Sequence, residues 1–291
     1  MAPHTTLRIG GPAELFAHIL SESALAQLLD LTRELEVPWR LLGLGSNVLL
    51  PDEGLLGVTA VLEGEFLEMS SDGTVVKAGA GQPLARVARF AVERGLAGLE
   101  ALAGFPSTVG GAVVMNAGCY GVEIKDILES TTILRPGGLR SVLRIEDLSP
   151  GYRSTNLQGT DAVVVQAMFR LQEDEAGVAL DRLTELNRRR REAMPSGRPN
   201  AGSVFKNPAG DYAGRLIDAC GLKGLRRGGA EISTAHANVI VNAGEATAED
   251  VLELMQDMYR AVRHEFGVSL EPELILGGSL EGRWHRVIVE S

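Results

Sequence analysis

The spacing of apolar residues predicts alternating helices and strands in the N-terminal part of the chain. Leu25, Leu28, Leu29 and Leu35 recur at helical intervals, and Pro38 follows where such a helix should already have ended. Other short apolar runs are predicted to form further elements. These are strands over 40–42, 48–50, 58–62 and 75–78, and a helix over 83–94.

The rest of the chain continues this mixed pattern of helices and strands. Residues 104–121 are rich in glycine and are predicted to be irregular. The remaining predicted elements are a strand over 163–169, a charged helix over 181–192, and helices over 213–220 and 247–266. Gly221 and Gly267 directly follow the last two helices, in the position of a C-cap glycine.

The composition indicates a globular protein with more than one packed core. The chain has 291 residues, of which 45% are hydrophobic, enough for two or three domains. Its net charge of −10 argues against a general nucleic-acid-binding protein, which needs a basic surface. A local group of Arg and Lys can still hold a small anion, and the run Arg188–Arg191 is one candidate beside its simpler interpretation as a solvated helix end.

The cysteine content and the N-terminus suggest a cytoplasmic protein. Cys119 and Cys220 are isolated, so neither a disulfide framework nor a zinc site is predicted, and no His or Cys spacing supports a metal. The chain does not start with a basic segment followed by an apolar run, and no stretch approaches the ~20 apolar residues of a membrane span. We therefore expect no membrane insertion.

A first glycine-rich loop comprises Gly43, Leu44, Gly45, Ser46 and Asn47. Such a loop lets backbone amides approach a pyrophosphate closely. The Rossmann fingerprint fails because Val48 occupies the third glycine position and a strand follows where a helix is required. Taken alone, the loop is an ordinary turn between strands.

A second glycine-rich region runs from Gly104 to Gly121 and concentrates small and hydroxyl-bearing residues. A loop with so few packing side chains is costly to order unless its amides find a partner such as a phosphate.

Three further motifs contain candidate catalytic groups, although each has a simple structural interpretation. Tyr152–Arg153 lies in a predicted surface turn, and Ser203, within residues 201–208, is a common turn or cap residue. Glu271 and Glu273 would point to opposite faces of a strand, so at most one is expected in a site.

In this order, the motifs resemble those of the UDP-N-acetylenolpyruvoylglucosamine reductase family, as does the opening Thr6–Gly11. The resemblance covers residues 5–278. It implies an α+β fold, with a vanillyl-alcohol-oxidase (p-cresol methylhydroxylase) type FAD-binding fold of two α+β subdomains and a C-terminal α+β substrate domain. The expected boundaries are 1–55 and 56–172 for the two subdomains, 173–278 for the substrate domain and 279–291 for a C-terminal extension.

The resemblance also implies the ligands and the role of each matching residue. FAD would be bound noncovalently, with NADPH as co-substrate and a UDP-sugar enolpyruvyl ether as substrate. Arg153, Ser203 and Glu273 would be catalytic, and Tyr152, Lys206, Asn207 and His236 would contact substrate, although a lone histidine such as His236 is more often structural. The residues expected to bind FAD are Gly43, Leu44, Gly45, Ser46, Asn47, Pro106, Ser107, Thr108, Gly110, Gly111, Ala112, Asn116 and Gly118.

The chain departs from part of the family at one feature, and two alternative functions are compared with the family's. No tyrosine occurs between Tyr152 and Tyr212, which suggests the subgroup of the family without a tyrosine lid. Another flavoenzyme of the same fold would share the glycine loops but has no reason to carry the Ser203 and Glu273 motifs. A nucleotide-sugar-binding protein without activity would not need Arg153, Ser203 and Glu273 together.

Overall fold

The chain divides into a middle unit and a terminal unit. The computed structural model describes residues 1–174, 177–195 and 197–290. The middle unit comprises residues 16–44 and 57–190, and the terminal unit comprises 1–15, 45–56 and 191–291. The predicted boundaries at 55, 172 and 278 divide the chain differently and stay a prediction.

Strands and helices are mixed throughout both units. The strands, numbered in chain order, are β1 (Ala13–Ile19), β2 (Trp39–Leu41), β3 (Val48–Leu49), β4 (Leu55–Leu62), β5 (Met69–Asp72), β6 (Val75–Gly79), β7 (Leu96–Ala97), β8 (Gly118–Cys119), β9 (Val122–Glu123), β10 (Leu128–Arg135), β11 (Leu139–Arg144), β12 (Val163–Arg170), β13 (Gln172–Glu173), β14 (Asn200–Ser203), β15 (Arg226–Arg227), β16 (Ala230–Ile232), β17 (Val239–Asn242) and β18 (Ile275–Leu276). The helices are α1 (Glu22–Glu34), α2 (Leu84–Val92), α3 (Val109–Val114), α4 (Ala179–Ala193), α5 (Ala213–Ala219), α6 (Ala248–Phe266) and α7 (Ser279–Glu290). No helix in the described part of the chain is long and apolar enough to cross a membrane.

The middle unit is built around an antiparallel sheet with strand order β11-β10-β12-β6-β5. Its central strands β10 and β12 are buried along most of their length, and α3 packs against β12 while α1 packs against β10. Thr131 pairs with Ala167, which in turn pairs with Ala78. A smaller sheet has the order β1-β4-β2, with β2 parallel to β4.

The terminal unit contains an antiparallel sheet of order β14-β17-β16-β15. Helix α6 packs on β15 and β16, and α5 packs on α6. Strand β18 runs parallel to β3, pairing Ile275 with Val48. The core of this unit includes the fully buried rings of Phe205 and Tyr259.

One prediction from the glycine content was wrong in part. Residues 104–121 are not irregular throughout, because α3 and the short β8 lie within them. Thr108 caps α3 by accepting a hydrogen bond from the Gly111 N–H at 3.2 Å. Val109, Ala112 and Val113 are buried, so tertiary packing stabilises a helix that its glycines disfavour.

Candidate active site

The two glycine-rich loops approach each other inside the middle unit. A Cβ atom placed on Gly43 would lie 2.8 Å from Thr108 Oγ1, so a side chain here would displace the hydroxyl that caps α3. At Gly110 a Cβ atom would lie 3.1 Å from the Cβ of Ala80. Residues distant in sequence therefore form one cradle of closely packed backbone.

Several backbone amides of this cradle are unpaired. The N–H groups of Val109 and Gly110 donate to the carbonyls of Gln82 and Ala80 at 2.9 and 2.8 Å, which fixes the loop. Among the residues that the structure describes, no acceptor is found for the N–H groups of Gly43, Leu44, Ser107 and Thr108. Free amides in a glycine-rich cradle suit an anion such as a pyrophosphate.

A third short turn, residues 79–83, supports the second glycine loop and was missed at the sequence level. Carbonyl groups of this turn accept the hydrogen bonds from Val109 and Gly110. Directly after the turn, the Leu84 N–H donates to Ser107 O at 2.9 Å. Gln82 is 3% exposed, and its Oε1 atom has no hydrogen-bond partner among the described residues. The repeated glycines at 79 and 81 are the sequence signal that would have identified this turn.

Asn116 connects the second glycine region to the Arg153 turn. Its Nδ2 donates to the Gly151 carbonyl at 2.9 Å and to Glu123 Oε2 at 3.1 Å. Its Oδ1 accepts the Lys125 N–H at 3.0 Å, and the residue is buried. The side chain of Asn116 and its backbone N–H, which donates to Val113 O at 3.1 Å, are therefore used within the protein, and the FAD contact of this residue stays a prediction.

Arg153 lies beside Gly118 of the same glycine region. A Cβ atom on Gly118 would be 3.3 Å from Arg153 Nη1, so the absent side chain makes room for the guanidinium. Arg153 Cζ also lies 5.0 Å from the centre of the exposed Tyr152 ring. Hydrogen bonds between the backbones of Gly151 and Ser154 close the turn.

In the terminal unit, the first glycine loop continues toward Glu273. Gly45 adopts a φ of +61°, and a Cβ there would collide with the His4 carbonyl. The Thr6 N–H donates to Gly45 O at 3.0 Å, and Thr6 Oγ1 donates to Asn200 O at 2.7 Å. Asn47 Nδ2 donates to the Glu273 carbonyl at 3.0 Å.

Ser203 and Glu273 lie on adjacent segments of the terminal unit. Ser203 ends β14, where it pairs with Val239 of β17. The Glu273 N–H donates to Val204 O at 2.8 Å, and Phe205 forms a β-bridge with Pro272. The structure therefore brings together two predicted catalytic residues that are far apart in sequence.

Glu271 is the more exposed of the two glutamates and forms an ion pair with Lys206 Nζ. The prediction that Glu271 is a solvated residue agrees with its exposed side chain. Lys206, a predicted substrate contact, is half-buried and already has this carboxylate partner.

Asn207 and His236 border helix α5. Asn207 Oδ1 accepts the Ala213 N–H at 3.1 Å at the start of α5. His236 Nδ1 accepts the Asn238 N–H at 3.3 Å, and its ring lies close to Gly214. Both residues, which are predicted to contact substrate, therefore also accept hydrogen bonds from the backbone of neighbouring segments.

Asn238 is the residue of this segment that sequence reasoning missed. It is 2% exposed, and its side chain forms two hydrogen bonds with the Phe205 backbone, at 3.0 Å from the N–H and 2.8 Å to the carbonyl. Asn238 thereby fixes the loop that follows Ser203. The sequence signal for this residue is an asparagine placed immediately before the apolar run 239–241.

The arginine run on α4 divides between two environments. Arg188 and Arg189 bind Glu185, and these two guanidinium groups lower the pKa of Glu185 to about 2. Arg190 instead lies on the second glycine region, with Nη1 3.7 Å from Cys119 Sγ and Cζ 5.9 Å from the Phe105 ring centre. No group of His, Cys, Asp and Glu suited to a metal occurs in the described ranges.

Known families match both parts of the chain. Residues 13–143 match a family described as FAD binding domain, and residues 194–276 match the C-terminal domain of UDP-N-acetylenolpyruvoylglucosamine reductase. The predicted α+β, vanillyl-alcohol-oxidase-type FAD-binding fold is thereby confirmed.

Similar proteins extend this match to nearly the whole chain. UDP-N-acetylenolpyruvoylglucosamine reductase 2 of Symbiobacterium thermophilum is 44% identical over 94% of this chain and 89% of its own length. The corresponding protein of Halalkalibacterium halodurans is 40% identical over 96% of this chain and 92% of its own length. The crystal structure of the Thermus caldophilus enzyme is 40% identical, covers 95% of this chain and 97% of its own, and superimposes with a TM-score of 0.83. The chain belongs to the UDP-N-acetylenolpyruvoylglucosamine reductase family.

Proposed function

We propose that this protein is an NADPH-dependent FAD enzyme. It reduces the enolpyruvyl ether of UDP-N-acetylglucosamine enolpyruvate to UDP-N-acetylmuramate, a step of peptidoglycan precursor synthesis. The observation that carries the proposal is the adjacency of the Ser203 and Glu273 segments through the Glu273–Val204 hydrogen bond of 2.8 Å. Neither a flavin oxidase nor a simple binding protein has a need for this pair.

The cradle of the middle unit fits the FAD pyrophosphate. Its unpaired amides at Gly43, Leu44, Ser107 and Thr108 offer donors to the phosphate oxygens. Gly45, Ser46, Asn47, Pro106, Gly110, Gly111, Ala112, Asn116 and Gly118 complete the proposed FAD-binding set. When bound and reduced by NADPH, FAD supplies the hydride for the terminal methylene carbon of the enolpyruvyl group.

Arg153 would bind the enolpyruvyl carboxylate. A guanidinium matches a planar carboxylate through two parallel hydrogen bonds. As hydride arrives, negative charge spreads from the adjacent carbon into that carboxylate, so its attraction to Arg153 grows. Arg153 thereby stabilises the developing enolate more than the ground state.

Ser203 would then donate its hydroxyl proton to the carbon next to the carboxylate. A serine hydroxyl is a weak acid, so it acts only toward a strongly basic enolate in a preorganised site. Glu273 would help to stabilise the enolate. Because an ionised Glu273 would repel the substrate carboxylate, we expect Arg153 to offset that charge, Glu273 to hold a proton, or both.

The UDP diphosphate would be held by groups of the terminal unit. Lys206, Asn207 and His236 are the proposed contacts, and Tyr152 is a further proposed substrate contact. Because the chain has no tyrosine between Tyr152 and Tyr212, we propose that fixed groups replace the tyrosine lid found elsewhere in the family.

We further propose a cytoplasmic location and no nucleic-acid or membrane partner. Its nucleotide substrates occur in the cytoplasm, and a net charge of −10 disfavours nucleic acid.

Two measurements test the proposal. The purified protein should be yellow, and acid denaturation should release all of its flavin into the supernatant, since the resemblance supplies no linking residue. The flavin should then be reduced by NADPH and reoxidised by the enolpyruvyl UDP-sugar. A colourless protein, or a reduced flavin that this substrate leaves unchanged, contradicts the proposal.

A further inference from the structure

Helix α7 lies beyond the matched C-terminal domain family, yet it is part of the core of the terminal unit. The family match ends at residue 276, and α7 begins at Ser279. Leu280, Trp284 and Val287 are 1%, 4% and 5% exposed and belong to the main hydrophobic cluster of the terminal unit. The helix is therefore integrated into the fold.

Trp284 connects this helix to the segment that follows Ser203. The indole lies 5.8 Å from the Phe205 ring, centre to centre, with 47° between the ring planes. It also lies 5.5 Å from Tyr259 of α6 in an edge-to-face arrangement. Aromatic pairs at these distances attract each other beyond the effect of burial alone.

Phe205 is the point at which the two catalytic segments meet. It follows Ser203 by two residues, bridges Pro272, and is 1% exposed. The preceding carbonyl, Val204 O, accepts the Glu273 N–H at 2.8 Å. The position of the Phe205 ring therefore affects both Ser203 and Glu273.

The contribution of Trp284 at this position is packing by its ring. Its indole Nε1 is buried and has no hydrogen-bond partner among the described residues. Replacing the indole by another ring consequently removes contact area and no hydrogen bond.

We propose that Trp284 is a positioning residue, whose indole packs against Phe205 and thereby sets the spacing of Ser203 and Glu273. This inference rests on the proposed function, in which these two residues act on the enolpyruvyl group. A displacement of about 1 Å in a catalytic group can lower a rate by ~10²-fold, so loss of this packing should be visible in turnover.

The test compares Trp284→Leu and Trp284→Phe with Val287→Ala. Val287 is buried to a similar degree on the same helix, so its truncation controls for a general loss of stability. In Trp284→Leu, flavin reoxidation by the enolpyruvyl UDP-sugar should slow by about tenfold or more, while flavin reduction by NADPH keeps its rate. Trp284→Phe should show a smaller loss in the same half-reaction, and Val287→Ala should lower the melting temperature without this selective loss.

Hydrogen–deuterium exchange provides a second measurement that does not depend on turnover. Amides of residues 203–206 and 273–275 should exchange faster in the Trp284 variants than in Val287→Ala at equal distance from each melting temperature. Unchanged exchange, or equal slowing of both half-reactions, would overturn the proposal. If Trp284→Leu does not fold, Trp284→Phe decides by the same criteria. Failure of the parent protein to use the enolpyruvyl substrate would refute the proposed function separately.

Discussion

Five non-glycine residues in the described part of the middle unit adopt a left-handed backbone, which is unfavourable for residues other than glycine, and three of the five lie in the second glycine region and at Arg153. Asn116, Tyr120 and Arg153 have φ values of +39°, +51° and +57°. The Asn116–Gly151 hydrogen bond joins the two segments that contain them. Such conformations persist where surrounding contacts fix them, and they concentrate at functional sites. The backbone therefore supports a functional role for the Arg153 turn independently of the sequence motif.

Ser203→Ala should separate the two half-reactions. Flavin reduction by NADPH should be nearly unchanged, whereas reoxidation by the enolpyruvyl UDP-sugar should slow by ~10²–10⁴-fold or more, the usual contribution of general acid catalysis. Stopped-flow absorbance of the flavin measures both steps. Equal slowing of both would indicate damaged FAD binding and would contradict a proton-donor role.

Arg153→Lys tests whether the planar guanidinium matters. Lysine keeps the charge but loses the two-point contact with a carboxylate, so substrate-dependent reoxidation should still fall, by roughly tenfold or more for one lost charged hydrogen bond. Arg140→Lys, an exposed arginine on β11, is the matched control and should behave as the parent. Normal turnover of the Arg153 variant would place Arg153 outside the carboxylate site.

At the scale of secondary structure, α6 shows how local sequence signals define an element. Thr247 Oγ1 accepts the Asp250 N–H at 3.1 Å, and Asp250 Oδ2 accepts the Thr247 N–H at 2.9 Å. Asp52 adds a carboxylate that accepts the Ala248 N–H at 2.8 Å. At the other end, Gly267 has a φ of +67°, as predicted for a C-cap glycine.

Thr247→Ala should lower the free energy of unfolding by about 1 kcal/mol through loss of this cap. The Asp52 carboxylate remains to bind the helix terminus, so the protein should stay folded and its flavin chemistry should be unchanged. Urea unfolding measures the effect, and the exposed Thr234→Ala serves as control. Equal stability of both variants would show that Asp52 alone is sufficient to cap α6.

The elements differ in how well sequence alone predicts them. Helices α1, α2, α5 and α6 agree with the predictions, because each has an apolar face of helical period. Helix α3 was missed because glycine argues against a helix, while its stability comes from buried Val109 and Val113. Local propensity cannot include packing against a sheet that is distant in sequence.

At the scale of the whole molecule, stability should depend on a buried carboxylate with two arginines. Glu231 is 6% exposed and lies 2.5 Å from Arg226 Nη2 and 3.0 Å from Arg198 Nη1. Burial alone would raise the pKa of Glu231, but hydrogen bonds from Arg226 and Arg198 outweigh it, so the pKa lies below its ordinary value. This contribution to stability is present above the ordinary glutamate pKa and is lost as pH falls through the lowered one.

Glu231→Gln should therefore reduce stability at pH 7 and flatten its acid dependence. The free energy of unfolding of the parent should decline below about pH 4.3, the ordinary glutamate range, and that of the variant should decline less steeply. Urea unfolding between neutral and acidic pH measures both slopes. Glu281→Gln, at an exposed position of α7, is the control and should keep the parent's slope.

The sequence by itself determined the local elements, the order of the motifs and, through the family resemblance, the FAD-binding fold. These depend on periodicity, caps and short motifs that are readable within a few residues. Only the tertiary structure decided that Gly43 meets Thr108, that Glu273 hydrogen-bonds beside Ser203, and that Trp284 packs on Phe205. Each of these contacts joins segments far apart in the chain, and their pairing is set by sheet register and core packing, which no local pattern encodes.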